Sequence, residues 1–418
     1  MVLKDIAKQV SGSVIYLDVD GTLVTDGHTS ISPEVQRDVL LLSEKNRVIL
    51  ASNGNDTRTK ALAGRLGVEH VSGCHKPFPN KLQRATAKDN NIIVIGDKYI
   101  TDGLLAVFLK GAFYRSSRLT SSKDSLVTQV VNQIDDLVYM IVPFVHILRP
   151  QQWVKNLLLF APAVFAGTFF FQDTFINGLI TFIAFSLAAS AVYVGNDIVD
   201  RDLDGLHPRK KRRPVASGRL TVVVAGVYGA LLALAALLLS VVVPGILLII
   251  ALYIVLNSAY SLYLKHIPIM DVSTVSGLYV LRIVAGGIAT TTILSSWILI
   301  ATFLLALFLI SAKRKGESTQ ENKRRVLERY STQTLDALLL GSALLALTAY
   351  SLWTIFTYAH PLTALSIFIV TAVLFRTIHN LYNHPEKGES PELMVFTDPW
   401  TLGLTVLWGV SMWFLLYV

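Results

Sequence analysis

Four aspartates lie within eight positions of one another, directly after the uncharged apolar run 175–195. They are Asp197, Asp200, Asp202 and Asp204, and Asn196 precedes them. Carboxylates at a membrane edge are expensive unless a cation neutralises them. Mg²⁺ prefers one or two carboxylates together with substrate phosphates. At helical spacing Asp197, Asp200 and Asp204 share one face, so we predict that these three hold Mg²⁺.

Cations follow this acidic segment within a few residues. They are Arg209, Lys210, Lys211, Arg212 and Arg213. Arg forks and Lys point charges are the usual ligands of phosphate groups. Acid for a metal beside base for phosphates therefore predicts a diphosphate site at a membrane surface. Upstream, Lys155 and Asn156 form a second polar pair that we predict to contact phosphate, although Lys155 would also suit the cytosolic end of a helix.

The elements that must position these residues are membrane helices. Of the 418 residues 52% are hydrophobic, and the mean hydropathy is +0.52, which is too high for an ordinary soluble protein. Residues 1–135 have the mixed charge of a soluble domain, whereas 136–418 alternate long apolar runs with short polar segments. We predict an all-α membrane domain of nine transmembrane helices. Their ranges are 154–172, 175–195, 221–242, 245–264, 272–290, 294–312, 333–353, 361–380 and 400–418.

The basic residues predict the orientation of these spans. They concentrate in the loops after the second and sixth spans, and the turns near 173, 244, 292 and 358 contain no Lys or Arg. By the positive-inside rule, nine spans and a cytosolic N-terminus place every basic loop in the cytosol. We expect a multi-pass protein of the cytoplasmic membrane with its active sites on the cytosolic side. The net charge of +8 then indicates topology and phosphate binding rather than nucleic-acid binding, and the single cysteine, Cys74, excludes an internal disulfide.

Three short apolar runs in the first 135 residues end in polar side chains that could do chemistry. The runs 14–17, 48–51 and 92–95 are followed by Asp18 and Asp20, by Ser52 and Asn53, and by Asp97 and Asp102. Helical stretches between the runs predict a doubly wound α/β sheet. Such sheets bind ligands at the carboxyl ends of their strands, which is where these residues lie.

This ordered set resembles the haloacid dehalogenase (HAD) superfamily across residues 14–115. The resemblance implies a Rossmann-like phosphatase domain over 1–135, without a large cap and therefore open to a bulky substrate. It implies Asp18 as nucleophile and Asp20 as general acid/base. The remaining implied roles are substrate binding by Ser52, Asn53 and Lys76 (Lys81 being the weaker candidate), and Mg²⁺ binding by Asp18, Asp20, Asp97 and Asp102. The alternative is a membrane-tethered binding module without activity, which the intact Asp18 and Asp20 disfavour.

The membrane half resembles the UbiA prenyltransferase superfamily, through the pattern Asn-Asp-x-x-Asp-x-x-x-Asp on a basic cytosolic side. Within it, segments 148–156, 207–218 and 260–265, with Asp271 and Arg282, resemble the branch of decaprenyl-phosphate phosphoribosyltransferases. This resemblance implies catalysis at Asp197 and Asp200. It also implies phosphate or substrate contacts by Asn196, Lys155, Asn156, Lys210, Arg212, Arg213, Lys265, Arg282, Lys313 and Arg314.

Together the two resemblances imply a bifunctional enzyme. The membrane domain would transfer 5-phosphoribosyl from phosphoribosyl diphosphate to a polyprenyl (decaprenyl-type) phosphate, releasing diphosphate. The HAD-like domain would remove the 5-phosphate, giving polyprenyl-phosphoryl ribose, a precursor of arabinose donors for the cell wall. The partners would be both substrates and the bilayer, with no nucleic acid, and a homo-oligomer is left open.

The alternative is an aromatic prenyltransferase that uses a polyprenyl diphosphate and carries an unrelated HAD phosphatase. Aromatic prenyltransferases have a second Asp-rich motif after the sixth span. Here that loop offers Lys313, Arg314, Lys315 and one acid, Glu317. The loss of acid argues against this alternative, and the added positive charge suits a substrate with a further phosphate.

Overall fold

The computed structural model describes residues 3–25, 28–54, 56–79, 82, 91–121, 125–207, 210–319, 325–357, 361–384 and 397–417. The chain divides into two compact units, Met1–Val145 and His146–Val418. The domain boundary predicted between 135 and 136 falls within the helix Leu126–Leu148, most of which belongs to the first unit.

The first unit contains a five-stranded parallel sheet in the order β3-β2-β1-β4-β5. The strands are β1 Val14–Asp18, β2 Arg47–Ser52, β3 Glu69–Ser72, β4 Ile92–Gly96 and β5 Ala112–Arg115. The accompanying helices are α1 Leu3–Gln9, α2 Pro33–Ser43, α3 Asp56–Leu66, a π-helical turn Tyr99–Gly103, α4 Leu104–Phe108 and α5 Leu126–Leu148. Parallel strands covered on both faces read as continuous apolar runs, which is why β1 and β4 were recognisable in the sequence.

Both faces of the sheet are buried by apolar side chains. Along β1 the side chains alternate: Ile15 and Leu17 pack in one cluster with α1 to α3, and Tyr16 packs in another with Leu105 of α4. All three β1 side chains are fully buried, and burial of such a side chain contributes roughly 1.5–3 kcal/mol. The covered sheet is a rigid platform whose carboxyl edge carries the polar residues.

The second unit is helical, and among the described residues seven helices of the chain are long and apolar enough to cross a membrane. After a 3₁₀ segment Pro150–Phe160, the unit contains α6 Ala161–Phe165, α7 Gln172–Val199, α8 Arg201–Leu206, α9 Val222–Ser240, α10 Ile246–Leu262, α11 Met270–Ala289, α12 Ser296–Ser318, α13 Thr332–Thr357, α14 Leu365–Asn383 and α15 Pro399–Tyr417. The seven are α5, α7, α9, α11, α12, α13 and α14. The prediction of a polytopic helical membrane domain is therefore confirmed, whereas nine spanning helices are not.

The predicted first span, 154–172, is wrong as a single helix. The chain there forms the 3₁₀ segment Pro150–Phe160 and the short helix α6, which ends before Gly167 at a positive φ of 72°. Pro162 lacks the amide hydrogen that an uninterrupted α-helix would need at its position. The 3₁₀ segment packs closely on α11, because a Cβ on Gly286 would overlap the backbone carbonyl of Leu159. Small residues allow such close helix packing in membranes.

Candidate functional site

Three acids meet at the carboxyl edge of the sheet in the first unit. Asp18 ends β1, Asp97 follows β4 and Asp102 lies in the π-helical turn. Ligand oxygens of the three lie within 4.8 Å of one another, and no other such group of three occurs among the residues that the structure describes. The Lys76 ammonium donates hydrogen bonds to Asp18 and, at 2.6 Å, to Asp102 Oδ1. Four residues that the sequence predicted to act together are thus adjacent.

Asp18, Asp97 and Asp102 are buried, and the nearby positive charge only partly offsets the effect of burial on their pKa values. Burial and the charge of Asp102 raise the pKa of Asp18 to about 7, against the lowering effect of Lys76. Burial and the charge of Asp18 raise the pKa of Asp97 to about 6, and burial also raises the pKa of Asp102. For Lys76 burial lowers the pKa, but the charges of Asp102 and Asp18 outweigh it and raise it. A cation bound among the acids would remove their mutual repulsion.

The edge has the open ligand position that a divalent cation needs. Asp97 Oδ2 accepts a hydrogen bond from Arg118 Nε at 2.9 Å, but its buried Oδ1 has no hydrogen-bond partner in the described part of the chain. Such an unpaired buried carboxylate oxygen is costly. Gly21 keeps the space open, because at its φ of +81° a Cβ would lie 2.6 Å from Asp97 Oδ2. The residues present therefore fit Mg²⁺.

The other residues predicted for this site surround the acids. The Asp20 carboxylate is outside the three-acid group and accepts a hydrogen bond from Arg58 at 2.7 Å, a partner that the sequence analysis missed. Ser52 Oγ accepts from the Gly54 amide at 2.9 Å. Asn53 Oδ1 accepts from the Lys76 amide at 2.7 Å and so positions the lysine rather than presenting its own oxygen to a ligand. The weaker candidate, Lys81, lies outside the described residues.

In the second unit, two of the predicted metal-binding aspartates converge on arginines. Asp197, in the last turn of α7, and Asp204, in α8, are buried. Arg213 Nη1 lies 3.1 Å from Asp197 Oδ1 and 2.5 Å from Asp204 Oδ2. Arg149 forms a second ion pair with Asp197 and stacks on the Tyr193 ring at 5.1 Å. The Asp204 amide donates a hydrogen bond to the Asp200 carbonyl, which continues the helical pattern across the α7–α8 junction. Asp197 and Asp204 therefore lie on the same face.

The remaining acids of this segment are separate. Asp200 is 3.4 Å from Lys265 Nζ, and its side chain is 34% exposed. The Asp202 carboxylate is 99% exposed, as expected for a residue on another helix face. Asp197, Asp200 and Asp204 do not meet as tightly as the acids of the sheet edge. The cation between Asp197 and Asp204 in this structure is the Arg213 guanidinium, which contacts both carboxylates through one nitrogen and whose side chain is 28% exposed.

A buried arginine with neutral partners lies deeper in the second unit. Arg282 on α11 is 5% exposed and donates to Asn156 Oδ1 at 2.9 Å, to the Leu278 carbonyl at 2.7 Å and to the Tyr253 hydroxyl at 3.2 Å. Asn156 in turn donates to Ser186 Oγ at 3.0 Å. In the described part of the chain, the hydrogen-bond acceptors of Arg282 are thus uncharged. A buried guanidinium without a carboxylate is an attractive site for an anion.

Arg314 is placed differently from the prediction. Its guanidinium is buried and donates to Asp271 Oδ2 at 2.7 Å, to Glu317 Oε2 at 2.7 Å and to the Tyr260 hydroxyl at 3.2 Å. Two acids therefore compensate it, and Lys315 likewise pairs with Asp336. Arg314 and Lys315 both lie in the last turns of α12, not in a loop, and in this arrangement these turns offer less free positive charge to a phosphate than the sequence indicates. Asp271, which the resemblance groups with Arg282, is the ion-pair partner of Arg314 instead.

The other predicted contacts differ in accessibility. Lys210 and Arg212 are exposed, and Lys155, Asn196 and Lys313 are partly buried. The sequence did not single out Arg149 as a site residue, although it lies in the segment 148–156. The feature that could have identified it is its position as a cation directly before the 3₁₀ segment Pro150–Phe160. Its proximity to Asp197 of α7 arises only in the folded chain.

An apolar cavity of about 300 Å³ lies among α11 to α15 and the 3₁₀ segment with α6. Its lining includes Phe165, Ile283, Trp353, Leu374 and Trp408. Ile283 is the sequence neighbour of Arg282, so α11 contributes both to the cavity wall and to the buried cationic site. An apolar chain ending in an anion would match this pairing of an apolar cavity with a buried cation.

Comparison with known proteins gives one consistent result for the second unit. The profile of the UbiA prenyltransferase family matches residues 157–397. A decaprenyl-phosphate phosphoribosyltransferase of Corynebacterium glutamicum is 38% identical over 216 residues, covering 49% of this chain and 65% of the relative. One of Mycobacterium tuberculosis is 35% identical over 222 residues, covering 50% and 72%. This chain therefore spans just under two thirds of the first of these relatives, 65% of its length.

A solved structure supports the same fold. The UbiA homolog of Archaeoglobus fulgidus bound to DMAPP and Mg²⁺ superposes with a TM-score of 0.51 at 17% identity. It covers 64% of this chain, and 98% of that protein is matched.

Proposed function

This chain belongs to the UbiA prenyltransferase family, and we propose that its membrane unit transfers 5-phosphoribosyl from phosphoribosyl diphosphate to a polyprenyl phosphate of the decaprenyl type. The observation that carries the proposal is the cluster of Asp197 and Asp204 with Arg149 and Arg213. The names of the curated relatives support this acceptor and donor. We place the protein in the cytoplasmic membrane, with both sites on the cytosolic side.

The residues of the second unit divide the reaction between them. Asp197 and Asp204 would hold Mg²⁺, which would offset charge on the diphosphate leaving group. Arg149, Arg213 and Lys265 stabilise the negative charge that develops there, as preorganised cations do in a dry site. Arg282 with Asn156 binds the lipid phosphate, and the apolar cavity accepts the isoprenoid chain.

The chemistry requires few proton transfers. An oxygen of the lipid phosphate attacks the anomeric carbon of the ribose while the bond from that carbon to the diphosphate oxygen breaks. Diphosphate leaves with the electron pair. The lipid phosphate is already ionised at neutral pH, so no strong general base is needed.

For the first unit we propose a HAD-type phosphatase that removes the 5-phosphate of this product. Asp18 attacks phosphorus and the ribose oxygen leaves, protonated by Asp20, which Arg58 orients; water then hydrolyses the aspartyl phosphate. Lys76 offsets phosphate charge, and Asp18, Asp97 and Asp102 would hold the Mg²⁺ that completes the charge balance. The product would be polyprenyl-phosphoryl ribose. The three-acid group with Lys76 and the unpaired Asp97 oxygen support this proposal.

The experiment uses the full chain in proteoliposomes with Mg²⁺, labelled phosphoribosyl diphosphate and decaprenyl phosphate. The expected result is a labelled lipid and an equivalent release of diphosphate, followed by release of inorganic phosphate. A labelled lipid that forms only from prenyl diphosphate and an aromatic acceptor would instead establish the competing prenyltransferase. A labelled lipid without phosphate release would retain the transferase and refute the coupled phosphatase.

A further inference from the structure

Helix α5, Leu126–Leu148, has an apolar face that nothing in the described chain covers. Nine of its apolar residues are 44–79% exposed. Eight of them form a stripe: Leu126, Val127, Val130, Val131, Ile134, Leu137, Ile141 and Val145. At about 100° per residue the stripe spans an arc of about 140°, with the ninth residue, Met140, about 40° beyond its edge, on a helix about 35 Å long. A stripe of this size is unusual on a water-exposed surface.

The opposite face of α5 is packed on the sheet unit. Asp135 is fully buried there and accepts hydrogen bonds from the Ile100 amide at 2.8 Å, from Arg115 at 2.9 Å and from Arg118 at 3.1 Å. The Tyr139 ring packs against Tyr99 at a tilt and against Phe113 edge to face. The helix is therefore an integral part of the first unit, and its apolar stripe is the outward face of that unit.

This packing is incompatible with a helix that crosses the bilayer, although α5 is long and apolar enough to do so. Crossing would place Asp135 and Asp136 at the centre of the hydrocarbon, together with the arginines bound to them. Ionised side chains are rare and costly at that depth of a bilayer. The polar surface of the sheet unit would have to follow them.

We propose that α5 lies flat in the headgroup region of the membrane, with its stripe in the acyl chains and the sheet unit above it. The bilayer is the fitting partner because α5 is followed directly by the 3₁₀ segment Pro150–Phe160 of the membrane unit. Charge also fits: Asp136 is paired with Arg115 and, at 3.1 Å, with Arg118, so the helix does not bring uncompensated acid to an anionic surface. The apolar face of such an in-plane helix is buried about 5–10 Å into the boundary between headgroups and acyl chains.

The orientation has a consequence for the three-acid site. Arg118 joins Asp135 of α5 to Asp97 Oδ2, at 3.1 and 2.9 Å, and the Ile100 amide bound by Asp135 belongs to the π-helical turn that carries Asp102. The carboxyl edge of the sheet is thus adjacent to the membrane-lying helix. A phosphate carried by a lipid would reach this edge without leaving the bilayer. This consequence rests on the proposed phosphatase, whereas the position of α5 does not.

Spin labels on the full chain in liposomes test the position of α5. Buried Cys74 is replaced by alanine, and single cysteines are placed at Val127, Ile134 and Ile141 along the stripe, with Gln129 on the polar side as the control. Collision rates with oxygen and with a water-soluble nickel chelate report depth. We expect one shallow depth for all three stripe positions and an aqueous environment at Gln129. A depth that increases to a maximum at Ile134 would establish a crossing helix, and low accessibility to both reagents would establish a protein partner; either result overturns the proposal.

A charge on the stripe provides a second test. Ile134→Asp should weaken membrane contact, whereas Gln129→Asp adds the same charge on the polar side. We expect Ile134→Asp to reduce hydrolysis of the lipid-linked phosphate at least about tenfold, with hydrolysis of a soluble aryl phosphate unchanged; equal loss in both variants contradicts the membrane-contact role. If no variant or wild-type protein hydrolyses the aryl phosphate, the phosphatase proposal fails while the depth measurement still decides the position of α5.

Discussion

Two buried arginines of the second unit, Arg314 and Arg282, have different kinds of partner. The difference distinguishes a structural ion pair from a candidate ligand-binding residue. Arg314 is neutralised by Asp271 and Glu317, which is what a structural ion pair in a membrane protein requires. Arg282 has only uncharged hydrogen-bond acceptors in the described chain. The first arrangement is complete without a ligand, whereas the second leaves the guanidinium without a carboxylate among the described residues, as the proposed lipid-phosphate site requires.

Asp197→Asn should abolish formation of the labelled lipid while the protein remains inserted. The substitution removes one of two carboxylates that share Arg213 and would hold the cation at the leaving group. Loss of such stabilisation typically reduces turnover about 100- to 1,000-fold. Initial rates of lipid labelling measure the effect. Asp202→Asn, which neutralises a 99% exposed carboxylate in the same segment, is the control and should retain wild-type rates; equal rates in both variants would remove Asp197 from the site.

Arg282→Lys keeps the positive charge but loses the planar fork that contacts Asn156, Leu278 and Tyr253 at once. We expect the KM for decaprenyl phosphate to rise at least about tenfold, with a much smaller change in the KM for phosphoribosyl diphosphate, because Arg282 is assigned to the lipid phosphate. Steady-state kinetics with each substrate varied provide the comparison. A change confined to phosphoribosyl diphosphate would assign Arg282 to the other substrate.

At the scale of elements, helix α11 shows how one glycine determines packing. A Cβ at Gly286 would overlap the Leu159 carbonyl, whereas a Cβ at Gly277 on the same helix meets nothing within 4 Å. Gly286→Ala should destabilise the protein by roughly 1–3 kcal/mol through overpacking. Gly277→Ala should be neutral or stabilising by about 0.5–1 kcal/mol, since alanine is the better helix former. Thermal unfolding in detergent compares the two, and a stable Gly286→Ala variant would show that the 3₁₀ segment can move away.

The sequence predicted elements better than contacts between them. β1 and β4 are uninterrupted apolar runs followed by acids, so the position of Asp18 and Asp97 at one sheet edge could be anticipated from strand order. Two ion pairs could not be anticipated from the sequence. Arg58 and Asp20 are 38 positions apart, Arg149 and Asp197 are 48 positions apart, and no sequence pattern links the elements that carry them. The predicted domain boundary at residue 135 divides helix α5, because its apolar residues have the spacing of a surface helix covered on one side and do not distinguish the soluble from the membrane part of the chain.

At the scale of the whole molecule, the two units have separate cores and separate acid sites. Asp18 and Asp197 belong to different compact units, and substitutions without shared partners are usually additive. The two proposed activities should therefore be separable by single substitutions, although one reaction would supply the substrate of the other.

Asp18→Asn tests this separation most directly, since it removes the proposed phosphatase nucleophile with almost no change in volume. Transfer to the lipid should persist at the wild-type rate, because the membrane unit is untouched. The lipid product should stop at the 5-phosphorylated ribose form, about 80 Da heavier than the wild-type product, because the aspartyl phosphate can no longer form. Mass spectrometry of extracted lipids distinguishes the two products. Asp5→Asn, an exposed position on α1, is the matched control and should give the lighter lipid. If Asp18→Asn also gives the lighter lipid, the sheet unit acts on another substrate, and the transferase proposal stands alone.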